Sequence, residues 1–459
     1  MRELVVAMWL VSCTLAPHYE RPALPVPDQF AAGSGGLAAA DQGWRTMFRD
    51  PRLQALIGLA LANNRDLRVA ALNIEVAHAQ YQIQRGQLLP TVGGIATGSR
   101  LAGGALGSSS GVIPLVNDRF YAVGVTASWE LDLFGRIRSL TAQALEQYLA
   151  TVEARRAAHL ALVGQVVAQY LASRSYAEQY EVAVRTEAAT RQIYELTKQL
   201  FDEGQRSELD LRAVEAQWQS ARGQLPKLCR LSTQAADALA VLIGGPLPGG
   251  LAPPQPLATE QMIAELAPGI PSQVLLRRPD VLEAEHQLEA ANANIGAARA
   301  TFFPQISLTG LAGTVSSALS MLFSGGTGLF AFSGMISEPI FAGGANVANL
   351  HAADAQKRIR IAQYEKTIQT AFREVADALA ARDTFEHELE AQVAQEHAEQ
   401  VRYDLSLDRY RHGVSGYLDV LSAQSDLYAS QQAVIQLRAD RLTNLADLYR
   451  ALGGGWRER

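Results

Sequence analysis

The period of the apolar positions changes from helical to strand-like at two places in this chain, and a proline lies at each change. An alanine-rich helical pattern follows the arginines at residues 277–278 and stops before Pro304, after which residues 305–309 alternate between polar and apolar. The same switch occurs at Pro90 in the first half of the chain. Because proline ends a helix and a period of two is typical of a strand, each half is predicted to contain a long helix that runs directly into a strand.

The two halves of the chain correspond to each other position by position. In the first part of each half, matched residues lie 214 positions apart: Asp66 and Asp280, Arg85 and Arg299, and Pro90 and Pro304. In the last part the spacing is 209, as between Gly204 and Gly413. Matches in the same order at a constant spacing predict two internal structural repeats.

Each repeat is predicted to consist of a helix, two strands, a long helix, a turn and a second helix. The first repeat covers residues 44–243, with strands at 91–101 and 120–131 and a helical hairpin at 137–242. The second covers residues 272–452, with strands at 305–313 and 329–338 and a hairpin at 346–452. Residues 244–271, rich in proline and glycine, form the predicted linker, and residues 453–459 form the predicted tail.

The predicted strand at residues 120–131 has one apolar face and one face of small or polar residues. The apolar face carries Tyr121, Val123, Val125, Ala127 and Trp129. This pattern is typical of a barrel wall between lipid and water, although a half-buried sheet of a soluble protein shows it too. No apolar run after the first residues reaches the roughly 20 residues of a membrane helix, so a membrane crossing would use strands. Four strands cannot close a barrel in lipid, which predicts a ring of several chains.

The N-terminus has the pattern of a secretory signal that ends in a lipidation motif. Arg2 precedes a short apolar run, and residues 10–13 read LVSC. Residues 1–12 are therefore predicted to be a signal peptide, and Cys13 is predicted to be the lipidated first residue of the mature chain. Thr14 stands where an aspartate would retain a bacterial lipoprotein at the inner membrane, so sorting to the outer membrane is implied.

Composition adds little to this pattern. The chain has 459 residues, 48% of them hydrophobic, and a formal net charge of −6, with no basic stripe, which argues against nucleic-acid binding. Residues 13–43 are rich in proline, glycine and alanine and are predicted to lie extended. If Cys13 is lipidated, Cys229 has no intrachain cysteine partner, and we expect it to be a small buried residue.

Catalytic motifs are missing from the sequence. It contains no HExxH, P-loop, GxGxxG or GxSxG motif, and its eight histidines show no paired metal-ligand spacing. We therefore predict a protein that is not an enzyme and has no cofactor and no metal site.

Five motifs together resemble one family. LLRRPD, FFPQISLTG, EPIFAGG and GxxxYLDVLSAQ, together with the LVSC start, resemble the lipoprotein (OprM-like) branch of the TolC-like outer-membrane efflux factors. The resemblance covers essentially the whole chain. It implies a mixed α/β membrane protein, a homotrimer in which each chain gives four strands to a twelve-stranded transmembrane β-barrel. That barrel would be continuous with a twelve-helix periplasmic α-barrel, and the linker and terminal segments would form an equatorial domain.

The resemblance also implies a function and partners. Such proteins are the outer ducts of tripartite efflux pumps, export small molecules passively, and work with a periplasmic adaptor and an inner-membrane transporter, usually of the RND type. Two other interpretations remain open: a protein-secretion duct of the same fold, and a soluble all-helical oligomeric enzyme. The lipidation motif and the two strand pairs count against the second of these. The substrate range cannot be predicted from the sequence.

The same resemblance implies a periplasmic gate in the second helical hairpin. Leu418 matches a leucine that forms an apolar ring in the trimer, and Asp419 matches an acidic position in one branch of the family. Ser422 stands where another branch has its aspartate, so the position of the acidic ring stays open. Asp210 is the corresponding candidate in the first hairpin, with an N-terminal helix-turn residue as its alternative role.

Two further features of the hairpins follow from the resemblance. Tyr410 matches a tyrosine that helps to hold the closed state by hydrogen bonding, but Ser415 replaces the arginine expected five residues later, so that interhelical lock is not carried over. The hairpin turns around Gly204 and Gly413 are the expected contacts of the adaptor.

Overall fold

The structure is a computed structural model that describes residues 14–30, 43–100, 119–259 and 272–454. The predicted signal peptide and Cys13 lie outside the described residues. The helices are α1 Trp44–Met47, α2 Pro51–Asn63, α3 Arg65–Gly86, α4 Arg136–Asp202, α5 Glu208–Leu242, α6 Pro279–Ala300, α7 Ala345–Arg411 and α8 Tyr417–Ala451. The strands are β1 Thr91–Arg100, β2 Arg119–Leu131, β3 Gln305–Ser316 and β4 Gly328–Ser337.

The predicted internal repeat is visible in the lengths of the helices. α3 and α6 both have 22 residues, α4 and α7 both have 67, and α5 and α8 both have 35. The predicted switch from helix to strand is also present, since β1 and β3 each begin at the residue after the proline. None of the described helices has an apolar stretch long enough to span a bilayer.

The chain forms two compact units. The first takes its described residues from Met1–Ala23, Asn73–Val152 and Glu283–Tyr364, and the second from Leu24–Leu72, Glu153–Leu282 and Glu365–Arg459. Both repeats contribute to both units, so neither unit coincides with a repeat.

The first unit contains an antiparallel sheet with the strand order β1-β2-β3-β4. β3 runs to Ser316, three residues beyond its predicted end, because Thr314 still pairs with Gly328 and the Val315 amide donates to the Thr327 carbonyl at 2.9 Å. At the centre of the sheet Gly124 lies opposite Gly313. A Cβ added at Gly313 would lie 2.3 Å from the Val123 carbonyl oxygen, so the close approach of β2 and β3 requires glycine there.

The second unit has a core near its N-terminal helices. Six of its fully buried apolar side chains are Trp44, Met47, Phe48, Leu53, Leu56 and Ile57. Asp50 caps α2 by accepting from the Arg52 amide at 2.8 Å, and it also accepts from the Tyr170 hydroxyl at 2.5 Å. Since the buried carboxylate has both partners, the start of α2 is fixed to α4.

The expectation for Cys229 is wrong, because its side chain is exposed. The buried face of α5 is formed by Leu211, Val214, Ala221, Leu228, Ala235 and Leu239. Cys229 follows Leu228 directly and therefore lies about 100° around the helix from that buried face. The small, apolar character of cysteine favours a buried position, but the helical period places Cys229 beside the core face and not on it.

Candidate functional site at the helical hairpin turns

The two helical hairpins end in turns with the same backbone geometry. Gly204 has φ +74° and Gly413 has φ +71°, a region that favours glycine. In the first turn the Gln205 amide donates to Leu200 at 2.8 Å, and in the second the Val414 amide donates to Arg409 at 2.9 Å. Each glycine amide also donates to the carbonyl three residues before it, Gly204 to Phe201 at 2.9 Å and Gly413 to Tyr410 at 3.0 Å. Together these contacts form a Schellman motif, which satisfies the last carbonyls of α4 and α7.

A cluster of buried side chains packs beside these turns, and we call it the tyrosine cluster. It consists of Ile193, Val214, Tyr410, Tyr417 and Val420, which come from α4, α5, α7 and α8. The rings of Tyr410 and Tyr417 meet edge to face, with their centroids 5.7 Å apart. Because every helix of both hairpins contributes a residue, the cluster fixes the two hairpins to each other at this end.

Tyr410 makes two contacts with the first hairpin. Its hydroxyl oxygen lies 3.3 Å from Thr197 Oγ1, and the guanidinium carbon of Arg206 lies 4.9 Å from the centre of its ring. The arginine near Tyr410 is therefore not at position 415 but is Arg206, which approaches from the turn after α4 and which the sequence did not indicate. Burial raises the pKa of the neighbouring Tyr417, with smaller contributions from Tyr410 and Tyr403, so the Tyr417 hydroxyl stays neutral at ordinary pH.

Leu418 and Asp419 lie on the opposite side of the first turn of α8. Leu418 is 69% exposed, although Tyr417 before it and Val420 after it are buried in the tyrosine cluster. Asp419 is also exposed. The helical period turns both side chains away from the cluster, so an apolar group and a carboxylate are presented together to the surroundings.

Ser422 belongs to an ion-pair network that joins α7 to α8. Arg402 donates to the Ser422 hydroxyl at 3.0 Å, to the Asp426 carboxylate at 2.8 Å and to Glu399 at 3.0 Å. Sequence reasoning missed Arg402 and Asp426. Arg402 lies 12 positions before residue 414, and Asp426 lies 12 positions after it. Pairing residues at equal distances from the hairpin turn could therefore have found this contact.

Asp210 has a local role in the first hairpin. Its amide donates to Ser207 Oγ at 3.1 Å, and Ser207 Oγ lies 2.8 Å from the Asp210 carboxylate. Ser207 is the N-cap of α5, and Asp210 is in the first turn, where a carboxylate is favourable. These contacts support the alternative role considered for Asp210, and its gate role remains a prediction.

The arginine motif of the second repeat anchors the end of α8. Arg278 donates to both oxygens of Asp280 at 3.0 and 2.7 Å, to Glu374 at 2.9 Å and to the Ala451 carbonyl at 2.7 Å. Burial alone would lower the pKa of Arg278, but the two carboxylates more than offset that effect and raise it. The guanidinium therefore stays charged and joins three helices.

The hairpins, the four-stranded sheet and the repeated helix lengths are those of an outer-membrane channel. The chain matches the family described as "Outer membrane efflux protein" over residues 56–245 and 270–454 and belongs to that family. It is thus a channel-type protein of the outer membrane, and the predicted fold class and location are confirmed.

Individual relatives agree with this assignment. The antibiotic efflux pump outer membrane protein ArpC of Pseudomonas putida is 46% identical over 99% of this chain and 95% of its own length. The toluene efflux pump outer membrane protein TtgC of Pseudomonas putida is 45% identical with the same coverage. Among solved structures, the open state of the Neisseria gonorrhoeae MtrE outer membrane channel has a TM-score of 0.87 and 42% identity, covering 97% of this chain and 99% of that one.

Proposed function

We propose that this chain is the outer-membrane duct of a tripartite efflux pump, through which small toxic organic molecules leave the cell passively. The observation that carries the proposal is the combination of two long helical hairpins and a four-stranded sheet in a chain that belongs to the outer membrane efflux protein family. The energy for transport comes from an inner-membrane transporter of the RND type, and a periplasmic adaptor links the two. ArpC and TtgC are named for antibiotic and toluene efflux, which supports drugs and solvents as the substrate class.

The sheet of the first unit supports a ring of several chains, and the family resemblance implies that the ring is a homotrimer. β1 and β4 are its edge strands, and an open edge cannot face lipid because its backbone groups would lose their hydrogen bonds. Phe330 and Phe332 on β4 are 78% and 66% exposed in the single chain, as expected for side chains that face lipid or a neighbouring chain. Three copies would close a barrel of twelve strands.

The gate is assigned to the second hairpin. Three symmetry copies of Leu418 would form an apolar constriction, and Asp419 would add a ring of negative charge. Tyr410, through Thr197 and Arg206, and Arg402, through Asp426 and Ser422, would hold α7 and α8 in the closed position.

Single-channel conductance of the purified protein in planar bilayers tests this assignment. We expect Leu418→Ala and Asp419→Ala to raise the conductance of the closed channel. The internal repeat supplies a matched control, since Leu209 lies 209 positions before Leu418 in the first hairpin and is 80% exposed. Leu209→Ala should leave the conductance unchanged, and Asp210→Ala tests separately whether Asp210 contributes to the gate. The gate assignment fails if neither second-hairpin variant conducts more than the wild type.

A transport assay tests the wider function. A strain that lacks its own outer-membrane duct should regain tolerance to toluene and antibiotics when this chain is expressed with a compatible pump and adaptor. No gain in tolerance, together with release of a secreted protein, would instead favour the protein-secretion duct.

Two further assignments are part of the proposal. The turns at Gly204 and Gly413 would contact the adaptor, as each presents an ordered, exposed end of a hairpin. Cys13 would carry the lipid anchor, and incorporation of labelled palmitate that is lost in Cys13→Ser would test it.

A further inference from the structure

Three potential metal ligands converge in the first unit, far along the chain from the hairpin turns. Glu146 comes from α4, and His286 and Glu289 come from α6. His286 Nδ1 lies 2.8 Å from a Glu146 oxygen and 4.0 Å from a Glu289 oxygen. All three ligand atoms lie within 4.8 Å of one another. The sequence shows no metal-ligand motif because the ligands come from two helices separated by well over a hundred residues.

The separations suit a tetrahedral ion. With metal–ligand bonds of about 2.0–2.1 Å, neighbouring ligand atoms of a tetrahedral zinc site lie roughly 3.3 Å apart. The observed 2.8 and 4.0 Å lie on either side of that value, so rotations of the glutamate side chains would suffice to form the site. His286 and Glu289 are three residues apart on one helix face, which directs both toward the same point. The three side chains are one-fifth to one-third exposed, so a water molecule can reach the fourth position.

The charges of the cluster also favour a cation. The neighbouring Glu285 is already paired, since it accepts from Arg21 at 2.6 and 2.9 Å. The carboxylates of Glu146 and Glu289 both lie near Nδ1 of His286. Because two negative charges so close together repel each other, a bound cation would stabilise them.

We propose that Glu146, His286 and Glu289 bind a divalent transition-metal ion of the zinc class and thereby tie α4 to α6. One imidazole nitrogen and two carboxylate oxygens fit such an ion better than Mg²⁺ or Ca²⁺, which prefer oxygen ligands alone, or Cu⁺, which prefers sulfur. α4 follows β2 and α6 precedes β3, two strands that pair with each other. The ion would therefore reinforce the junction between the paired strands and their helices, separately from the gate.

Calorimetric titration of the purified full-length protein with Zn²⁺ tests the proposal, after treatment with a chelator and without a histidine tag. We expect saturable binding of one ion per chain and a Zn²⁺-dependent rise in the thermal midpoint. Co²⁺ should give the visible absorption of a tetrahedral site, and Mg²⁺ should not compete. Because loss of a partner that merely orients a ligand weakens metal binding about 10- to 100-fold, His286→Gln and Glu289→Gln should each weaken Zn²⁺ binding at least about tenfold.

His351→Gln on α7 is the matched control, since it removes an exposed histidine of the same unit outside the cluster. It should bind Zn²⁺ as the wild type does. Glu289→Gln keeps the shape of the glutamate side chain, the two histidine replacements keep a polar side chain, and trimer migration on a gel verifies that each variant folds. Absence of saturable Zn²⁺ binding in the wild type overturns the proposal, as does binding that is unchanged in both folded cluster variants.

Discussion

The two repeats make the same contact between helix ends with different side chains. Asn64, at the start of α3, donates to the Leu242 carbonyl at 2.9 Å, and Arg278, 214 positions later, donates to the Ala451 carbonyl at 2.7 Å. The carbonyls themselves lie 209 positions apart and end α5 and α8. Asn64 also caps α3 by accepting from the Leu67 amide, whereas Arg278 holds two carboxylates. Both repeats therefore have a side chain that bonds the carbonyl at the end of a helix. In the first repeat this side chain is a neutral cap, and in the second it belongs to a buried network of charges.

The hairpin turns differ in a parallel way. Both use a glycine with positive φ, but α5 begins with Ser207, whose side chain caps the helix, and α8 begins with Gly416, which offers no side-chain cap. The start of α8 is held instead by packing of Tyr417 and, farther along the helix, by the bonds of Arg402 to Ser422 and Asp426. Helix starts that depend on contacts with neighbouring helices, rather than on a local cap, move when those helices move. The comparison supports placing the gate in the second repeat.

The largest effect is expected from breaking the two helix-end contacts. Arg278→Met leaves Asp280, Glu374 and the Ala451 carbonyl without their shared donor and should destabilise the protein by about 3–5 kcal/mol, the usual result of removing one partner of a buried ion pair. Asn64→Ala removes a neutral cap and should cost about 1–2 kcal/mol. Thermal melts followed by circular dichroism measure both. Equal losses of unfolding free energy in the two variants would contradict the distinction between a charged and a neutral contact.

Replacing the glycine of either turn should lower the stability of the protein by the same amount, but only one of the two replacements should change the conductance. Gly204→Ala and Gly413→Ala each force a side chain into the left-handed region, which costs about 1–2 kcal/mol, and an added Cβ has open space at both positions. The melts of the two variants should therefore shift equally. In planar bilayers, only Gly413→Ala should raise the closed-channel conductance. A conductance change in Gly204→Ala of the same size would place gating in both hairpins.

Much of this scaffold could be predicted, because glycine, proline and the period of apolar positions act locally. Pro90 and Pro304 fixed the two helix-to-strand changes, and Gly204 and Gly413 fixed the turns. Contacts between distant residues could not be predicted in the same way. Arg206 approaches Tyr410 from the other repeat, and His286 meets Glu146 across two helices, so no local spacing indicated either contact. Cys229 shows that residue type alone does not predict burial, because neighbouring positions on a helix can be buried and exposed.

Making the first turn resemble the second should have a smaller effect. Ser207→Gly places the residue of Gly416 at the start of α5, and glycine at an N-cap is only a few tenths of a kcal/mol less favourable than serine, whereas Ser207→Ala should cost about 1 kcal/mol. Melts of the two variants give the comparison. If Ser207→Gly were as destabilising as Ser207→Ala, the Ser207–Asp210 pair would do more than cap the helix.

The smallest effect on stability, and the sharpest test of the comparison, comes from two exposed arginines. Arg402 bridges α7 to Asp426 on α8, whereas Arg212 bonds only Glu208 and Glu215 of its own helix among the contacts described. Exposed ion pairs contribute little to stability, so neither Arg402→Gln nor Arg212→Gln should shift the thermal midpoint measurably. Arg402→Gln should nevertheless raise the closed-channel conductance, because it releases one helix of the gate from the other. When conductance is divided by the conductivity of the bulk solution, raised salt should raise the wild-type value toward that of Arg402→Gln by screening the same contact. Identical normalised salt responses of the two proteins would exclude Arg402 from the closed state.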